Sequence, residues 1–131
     1  MNKSTVEKLQ KVLLLFVSVG LIPIALGYGL VPAKSMDYLF GISVTGINLA
    51  HILRAVMGLY LALVIFWVIG AYKVQLRQAA LYSLVVFMFG LAAGRILSII
   101  IDGIPHWLLI IYLLLELGFG TLGLLLVKKS D

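Results

Sequence analysis

The chain has 131 residues, of which 63% are hydrophobic and 11% are charged, and its mean hydropathy is +1.20. So little polar surface excludes a water-soluble globule and predicts an integral membrane protein. The net charge of +5 comes from basic residues near the ends of apolar segments, which argues against nucleic-acid binding, and the absence of cysteine excludes disulfides and thiol redox centres.

Four apolar runs are each long enough to cross the hydrocarbon core of a bilayer, which takes about 20 helical residues. They lie near residues 12–31, 47–71, 79–101 and 107–127. We therefore predict a single all-α transmembrane domain over residues 1–131. The longest connection, 32–46, carries several apolar side chains and is predicted to be an outer loop, either an interfacial helical turn that acts as a lid or a simple connector.

The distribution of basic residues predicts the orientation in the membrane. Placing the N-terminus in the cytoplasm leaves only Lys34 in an outer loop, and puts most of the other basic residues on the cytoplasmic side: Lys3, Lys8, Lys11, Lys73, Arg77, Lys128 and Lys129. Short connections between the later runs require neighbouring helices to run antiparallel. The expected architecture is an antiparallel, up-down-up-down four-helix bundle with both termini cytoplasmic.

Four ionisable residues interrupt the apolar runs: Arg54, Arg95, Asp102 and Glu116. A charge that stands alone at bilayer depth opposes insertion by roughly 2.5–3.5 kcal/mol on translocon scales, so these residues need partners, water or a ligand. With a rise of about 1.5 Å per residue, Arg54, Arg95 and Glu116 fall roughly 9–13 Å below the outer ends of their helices. We therefore expect three helices to direct polar groups into one volume in the outer leaflet.

Other polar side chains fall in the same layer and extend the expected site. The candidate ligand-binding residues are Asn48, His51, Arg54, Arg95, Ser98, Asp102, Tyr112 and Glu116. The charges of two arginines and two carboxylates cancel. An alternative is therefore a network of ion pairs that needs no ligand and only holds the helices together, for example one that pairs Arg95 with Glu116 and Arg54 with Asp102. The additional donors and acceptors favour a wet or ligand-filled pocket.

The histidine and serine positions complete neither a metal site nor a catalytic triad. Apart from His51 the chain has one other histidine, His106 in a predicted turn, so we predict no metal and no cofactor. No nucleophile elbow or glycine-rich phosphate loop surrounds Ser98. Acid–base chemistry on a lipid or a quinone, with Glu116 or His51 as the proton-transfer group, stays open.

Three classes of function fit this pattern. In the first, which we favour, the protein binds or transports an anionic lipid or small metabolite that Arg54 and Arg95 hold through their planar guanidinium groups. In the second, it is an accessory or structural subunit of a larger membrane complex, and in the third a small membrane enzyme. The expected partners are membrane lipid, an anionic or amphipathic small molecule, and a second copy of the chain or a larger complex, but no nucleic acid.

Two segments also suggest a family. They are residues 48–61, NLAHILRAVMGLYL, and residues 94–105, GRILSIIIDGIP, followed by Glu116 and Gly120. Together they resemble a bacterial membrane family known as domain of unknown function 4345, and the resemblance covers nearly the whole chain. It implies a four-helix, multi-pass protein of the bacterial cytoplasmic (inner) membrane with no settled activity.

Overall fold

The computed structural model of the protein describes residues 2–129. This part of the chain is all-helical and contains no strand. Its five helices are α1 (Lys3–Gly29), α2 (Pro32–Phe40), α3 (Ile47–Tyr72), α4 (Val74–Asp102) and α5 (Trp107–Lys129). All except α2 are long and apolar enough to cross a membrane. The prediction of an all-α protein with four apolar spans is confirmed.

Helix α1 begins at Lys3, whereas the apolar run from which it was predicted begins near residue 12. The side chain of Asn2 accepts a hydrogen bond from the backbone N–H of Thr5 at 2.8 Å and so caps the helix at its N-terminus. Leu14, Leu21 and Ala25 are fully or almost fully buried and lie on one stripe of the helix. This stripe fixes which side of α1 faces the rest of the protein, and α3 is the helix on which α1 packs most extensively.

The connection between α1 and α3 contains the short helix α2. Pro32 occupies its first turn, and Gly41 ends it in the left-handed conformation, with φ of 66°. Met36 is only 3% exposed, and the ring of Phe40 meets that of His106 edge-on at 5.6 Å. Helix α2 therefore crosses one end of the bundle, from α1 to the turn between α4 and α5. We call this end the α2 end.

The turn between α3 and α4 is shorter than predicted, because Lys73 alone separates the two helices. The guanidinium of Arg77 donates hydrogen bonds to the backbone carbonyls of Gly70 and Ala71, at 3.3 and 2.5 Å. These carbonyls lie in the last turn of α3 and have no partner within that helix, so Arg77 caps it. Helix α4 accordingly begins at Val74.

The four long helices form a ring of contacts in which α1 touches α3, α3 touches α4, α4 touches α5, and α5 touches α1. Helix α1 also approaches α4 across the ring, whereas within residues 2–129 the backbones of α3 and α5 stay apart. Tyr60 of α3 meets Phe87 of α4, whereas Trp67 donates to Ser83. The later residue of α3 thus pairs with the earlier residue of α4. The centre of the ring is filled by large buried side chains, among them Leu14, Trp67, Leu81, Leu84 and Val127.

Candidate functional site

A buried ion pair joins α4 to α5. Nε of Arg95 donates to both carboxylate oxygens of Glu116, at 2.9 and 3.1 Å. The Glu116 side chain is 7% exposed and that of Arg95 is 20% exposed. Gly120 and Gly123, one and two turns after Glu116, sit against side chains of α4 and let the two helices approach closely enough for the pair to form.

Two tyrosines surround the guanidinium of Arg95. Its Cζ atom lies 5.6 Å from the centroid of the Tyr112 ring, a distance at which the ring face attracts a cation. Tyr28 of α1 is a second neighbour of the guanidinium and packs edge-on against Tyr60 at 5.6 Å. Arg95 of α4 is therefore held by a carboxylate and an aromatic ring of α5 and by a tyrosine of α1.

Beside the ion pair lies a cavity of about 270 Å³, which we call the α1–α5 cleft. Its walls are largely aliphatic and aromatic and include Phe16, Gly20, Ile24, Leu91, Leu115 and Phe119, with Arg95 and Glu116 as its charged part. Phe16 is 64% exposed, and Gly20 and Leu115 are also exposed. Because these exposed residues belong to α1 and α5, the cleft opens sideways between these two helices.

Two smaller cavities share wall residues with the cleft. One, of about 200 Å³, lies beneath α2 and shares Ile24 and Tyr112 with the cleft. The other, of about 80 Å³, shares Arg95 and is otherwise lined by Ser98, Ile99, Gly103, Pro105, Leu109, Ile110 and Leu113. We call the second one the turn pocket, because it lies beside the turn from α4 to α5. Arg95 thus lies between the cleft and the turn pocket.

The structure brings together some of the predicted site residues but not all of them. Arg95, Tyr112 and Glu116 line the cleft, and Ser98 lines the turn pocket. The Ser98 hydroxyl donates to Oδ2 of Asp102 at 2.7 Å, and both residues are exposed. These five residues form one continuous group on α4 and α5.

Asn48, His51 and Arg54 lie apart from this group. All three are exposed and line none of the three cavities. The buried face of α3 is set by Tyr60, Val64, Trp67 and Ala71, and helical spacing turns Arg54 and His51 away from it. These polar groups of α3 therefore do not join those of α4 and α5 in one volume, and among the described residues no ion pair joins Arg54 to Asp102.

Sequence reasoning missed most of the cleft itself. Phe16, Gly20, Tyr60 and Phe119 line it, but an apolar residue in an apolar run gives no sign that it borders a cavity. The position of Tyr28 was partly readable from the sequence, since an aromatic residue near a helix end is typical of a membrane interface. Across residues 2–129 the structure has no cluster of three or more His, Asp or Glu side chains that could hold a metal ion.

Comparison with protein families identifies the group to which the chain is related. The model of the family described as Domain of unknown function (DUF4345) matches residues 9–127. The chain belongs to this family. Neither the curated proteins nor the solved structures contain a significant match to it. The description of the DUF4345 family states no activity.

Proposed function

We propose that this DUF4345 protein is a multi-pass protein of the bacterial inner membrane whose long helices form an antiparallel, up-down-up-down bundle. The reverse order of the paired residues in α3 and α4 supports this arrangement. The basic residues support cytoplasmic termini, because Lys3, Lys8 and Lys128 lie at the ends of α1 and α5 that such an orientation places inside. The α2 end then faces outward.

We further propose that the protein binds a lipid-like, amphipathic molecule in the α1–α5 cleft. The observation that carries this proposal is an apolar cleft that opens sideways between two helices and contains a buried ion pair. An apolar chain can enter from the bilayer through such an opening without crossing water. The polar end of the molecule then meets Arg95 and Glu116.

The dimensions of the cleft fit one chain of one leaflet. Phe16 and Ile24 mark its extent along α1 and are eight residues apart, which is about 12 Å of helix. Half of a hydrocarbon core is about 15 Å thick.

The contacts of Glu116 argue against its use as the proton-transfer group of an enzyme. Both of its carboxylate oxygens accept hydrogen bonds from Arg95, so the carboxylate is not presented to the cleft as a free base. The second candidate function, an accessory subunit, is favoured by a different observation. Asn48, His51 and Arg54 form an exposed polar face on α3, and polar residues exposed at membrane depth are typical of surfaces that a partner covers.

Filling the cleft tests the proposal. A Cβ atom on Gly20 would meet no other atom within 4 Å, so Gly20→Leu can place a side chain in the cleft without a clash at its first atom. Gly58→Leu is the matched control, because Gly58 is equally unobstructed but lies on α3 outside the cavities. Both substitutions also remove a helical glycine, which favours folding by about 1 kcal/mol.

The measurement is native mass spectrometry of protein released from membranes, together with the thermal stabilisation produced by added tetradecanol. We expect wild type and Gly58→Leu to retain a co-purified amphiphile and to be stabilised, and Gly20→Leu to lose at least about tenfold in affinity, close to 1.4 kcal/mol. Equal occupancy in all three proteins would refute binding in the cleft.

A further inference from the structure

We infer that the turn pocket is the headgroup subsite of the cleft, and that it takes a small, uncharged, hydrogen-bonding group such as an alcohol or a carbonyl. This inference rests on the proposed function, since it assigns the polar end of the molecule whose chain occupies the α1–α5 cleft. It narrows the ligand from amphipathic molecules in general to long-chain molecules with a compact neutral head.

The position of Arg95 carries the first step. Arg95 lines both the cleft and the turn pocket, so the two cavities adjoin at this residue, next to the ion pair. Both hydrogen bonds to Glu116 leave from Nε, and a guanidinium has four more N–H donors on its two terminal nitrogens. Tyr28 also hydrogen-bonds to the guanidinium, and the remaining donors suit an oxygen acceptor on the ligand.

Ser98 adds a second polar group to the turn pocket. Its hydroxyl donates its one hydrogen to Asp102, which leaves the oxygen lone pairs as acceptors. A hydroxyl head can therefore accept from Arg95 and donate to Ser98, whereas a carbonyl head uses Arg95 alone. The remaining wall, which includes Pro105 and Leu109, is apolar and excludes larger hydrated groups.

The volume of the turn pocket limits the size of the head. At about 80 Å³, the turn pocket has less than a third of the volume of the cleft. A hydroxymethyl or ketone group fits this space. A phosphocholine head is several times larger and fits this space less well.

The charges around the turn pocket disfavour an anion. Glu116 already neutralises Arg95, and Asp102, held by Ser98, adds a negative charge beside the pocket. Arg54, the other arginine expected to hold an anion, lies on the exposed face of α3 and lines no cavity. An anionic head would lose its water and meet a net negative charge, so a neutral head binds more tightly.

The test compares three probes that share one chain length: tetradecanol, tetradecanoate and tetradecylphosphocholine. Their affinities for the full chain are measured by native mass spectrometry and by thermal stabilisation. The pH is chosen so that the carboxylate of tetradecanoate is ionised. We expect tetradecanol to bind at least about tenfold more tightly than tetradecanoate, and tetradecylphosphocholine to bind least.

Variants separate the contributions of charge and volume. Asp102→Asn should reduce the difference in affinity between tetradecanol and tetradecanoate, because it removes the negative charge beside the turn pocket. Arg54→Gln changes a charge outside the cavities and should leave that difference in affinity unchanged. Ser98→Leu should fill the turn pocket and weaken tetradecanol binding about tenfold, with little effect on stability because Ser98 is exposed.

The outcomes distinguish this inference from the proposed function. If tetradecanoate or tetradecylphosphocholine binds as tightly as tetradecanol, and Gly20→Leu abolishes that binding, the cleft binds amphiphiles but the turn pocket does not select a neutral head. If Ser98→Leu leaves tetradecanol binding intact, the head lies elsewhere and the inference also fails. If Gly20→Leu has no effect on any probe, the proposed function itself is overturned.

Discussion

Removing Glu116 should destabilise the protein strongly, because Arg95 would then stand without its partner. Breaking a buried ion pair from one side costs about 3–5 kcal/mol. The Arg95 side chain is 20% exposed and borders two cavities that can admit water. We therefore expect Glu116→Leu to lower the free energy of unfolding by about 2–3 kcal/mol, at or below the lower end of that range.

A double-mutant cycle isolates the pair itself. In the Arg95→Leu, Glu116→Leu double variant no unpaired charge remains, and an apolar replacement of a buried pair is often neutral, so its stability should return to within about 1 kcal/mol of wild type. Asp102→Leu is the matched control, because Asp102 forms no ion pair among the described residues, and it should change stability by no more than about 0.5 kcal/mol.

The measurement is reversible unfolding by SDS in mixed micelles, followed by tryptophan fluorescence. Trp67 is fully buried and reports loss of the core, whereas Trp107 is 65% exposed and contributes a nearly constant background. The reasoning would be refuted if Glu116→Leu stayed within about 0.5 kcal/mol of wild type, or if the losses of the two single variants simply added in the double variant.

Two further substitutions test the packing that positions the site, with the same titration. The indole N–H of the fully buried Trp67 donates to the Ser83 hydroxyl at 2.9 Å, and Ser83→Ala removes this acceptor. The substitution should lower the free energy of unfolding by about 1–3 kcal/mol, and a smaller loss would mean that the indole finds another acceptor. Gly120→Ala would put a Cβ atom 2.9 Å from the ring of Phe89 and should also cost about 1–3 kcal/mol. Gly118→Ala, which meets no atom within 4 Å, should be neutral or slightly stabilising, and equal losses for the two alanines would contradict close packing at Gly120.

The sequence predicted the architecture well where length and hydropathy decide it. Four runs of sufficient apolar length became four long helices, since a backbone surrounded by lipid has to satisfy its own hydrogen bonds. Helix ends were harder to predict. They depend on individual polar contacts, such as the Asn2 cap of α1 and the Arg77 cap of α3, and hydropathy does not report those contacts.

The candidate site was predictable in part, for a reason that lies in the geometry of helices. Depth along a helix can be counted from sequence, so Arg95 and Glu116 were placed correctly in one layer, and the structure pairs them. Which side of a helix faces inward is set by packing with its neighbours. The apolar surface of α3 gives almost no preference for one side, and the structure turns Arg54 and His51 outward.

The location of the cleft follows from the order of the helices in the chain. Lys73 joins α3 to α4, and a turn of four residues, 103–106, joins α4 to α5, so these neighbours are held together by short connections. Helices α1 and α5 are the first and the last, and no connection links them. They meet where Gln10 donates to the Leu126 carbonyl at 3.0 Å and where the rings of Phe16 and Phe119 lie 5.8 Å apart. Beyond Phe16, toward the α2 end, the side chains of α1 and α5 border the cleft instead. This seam can separate without straining a connection, and under the proposed function it is where the chain of the bound molecule enters between the helices.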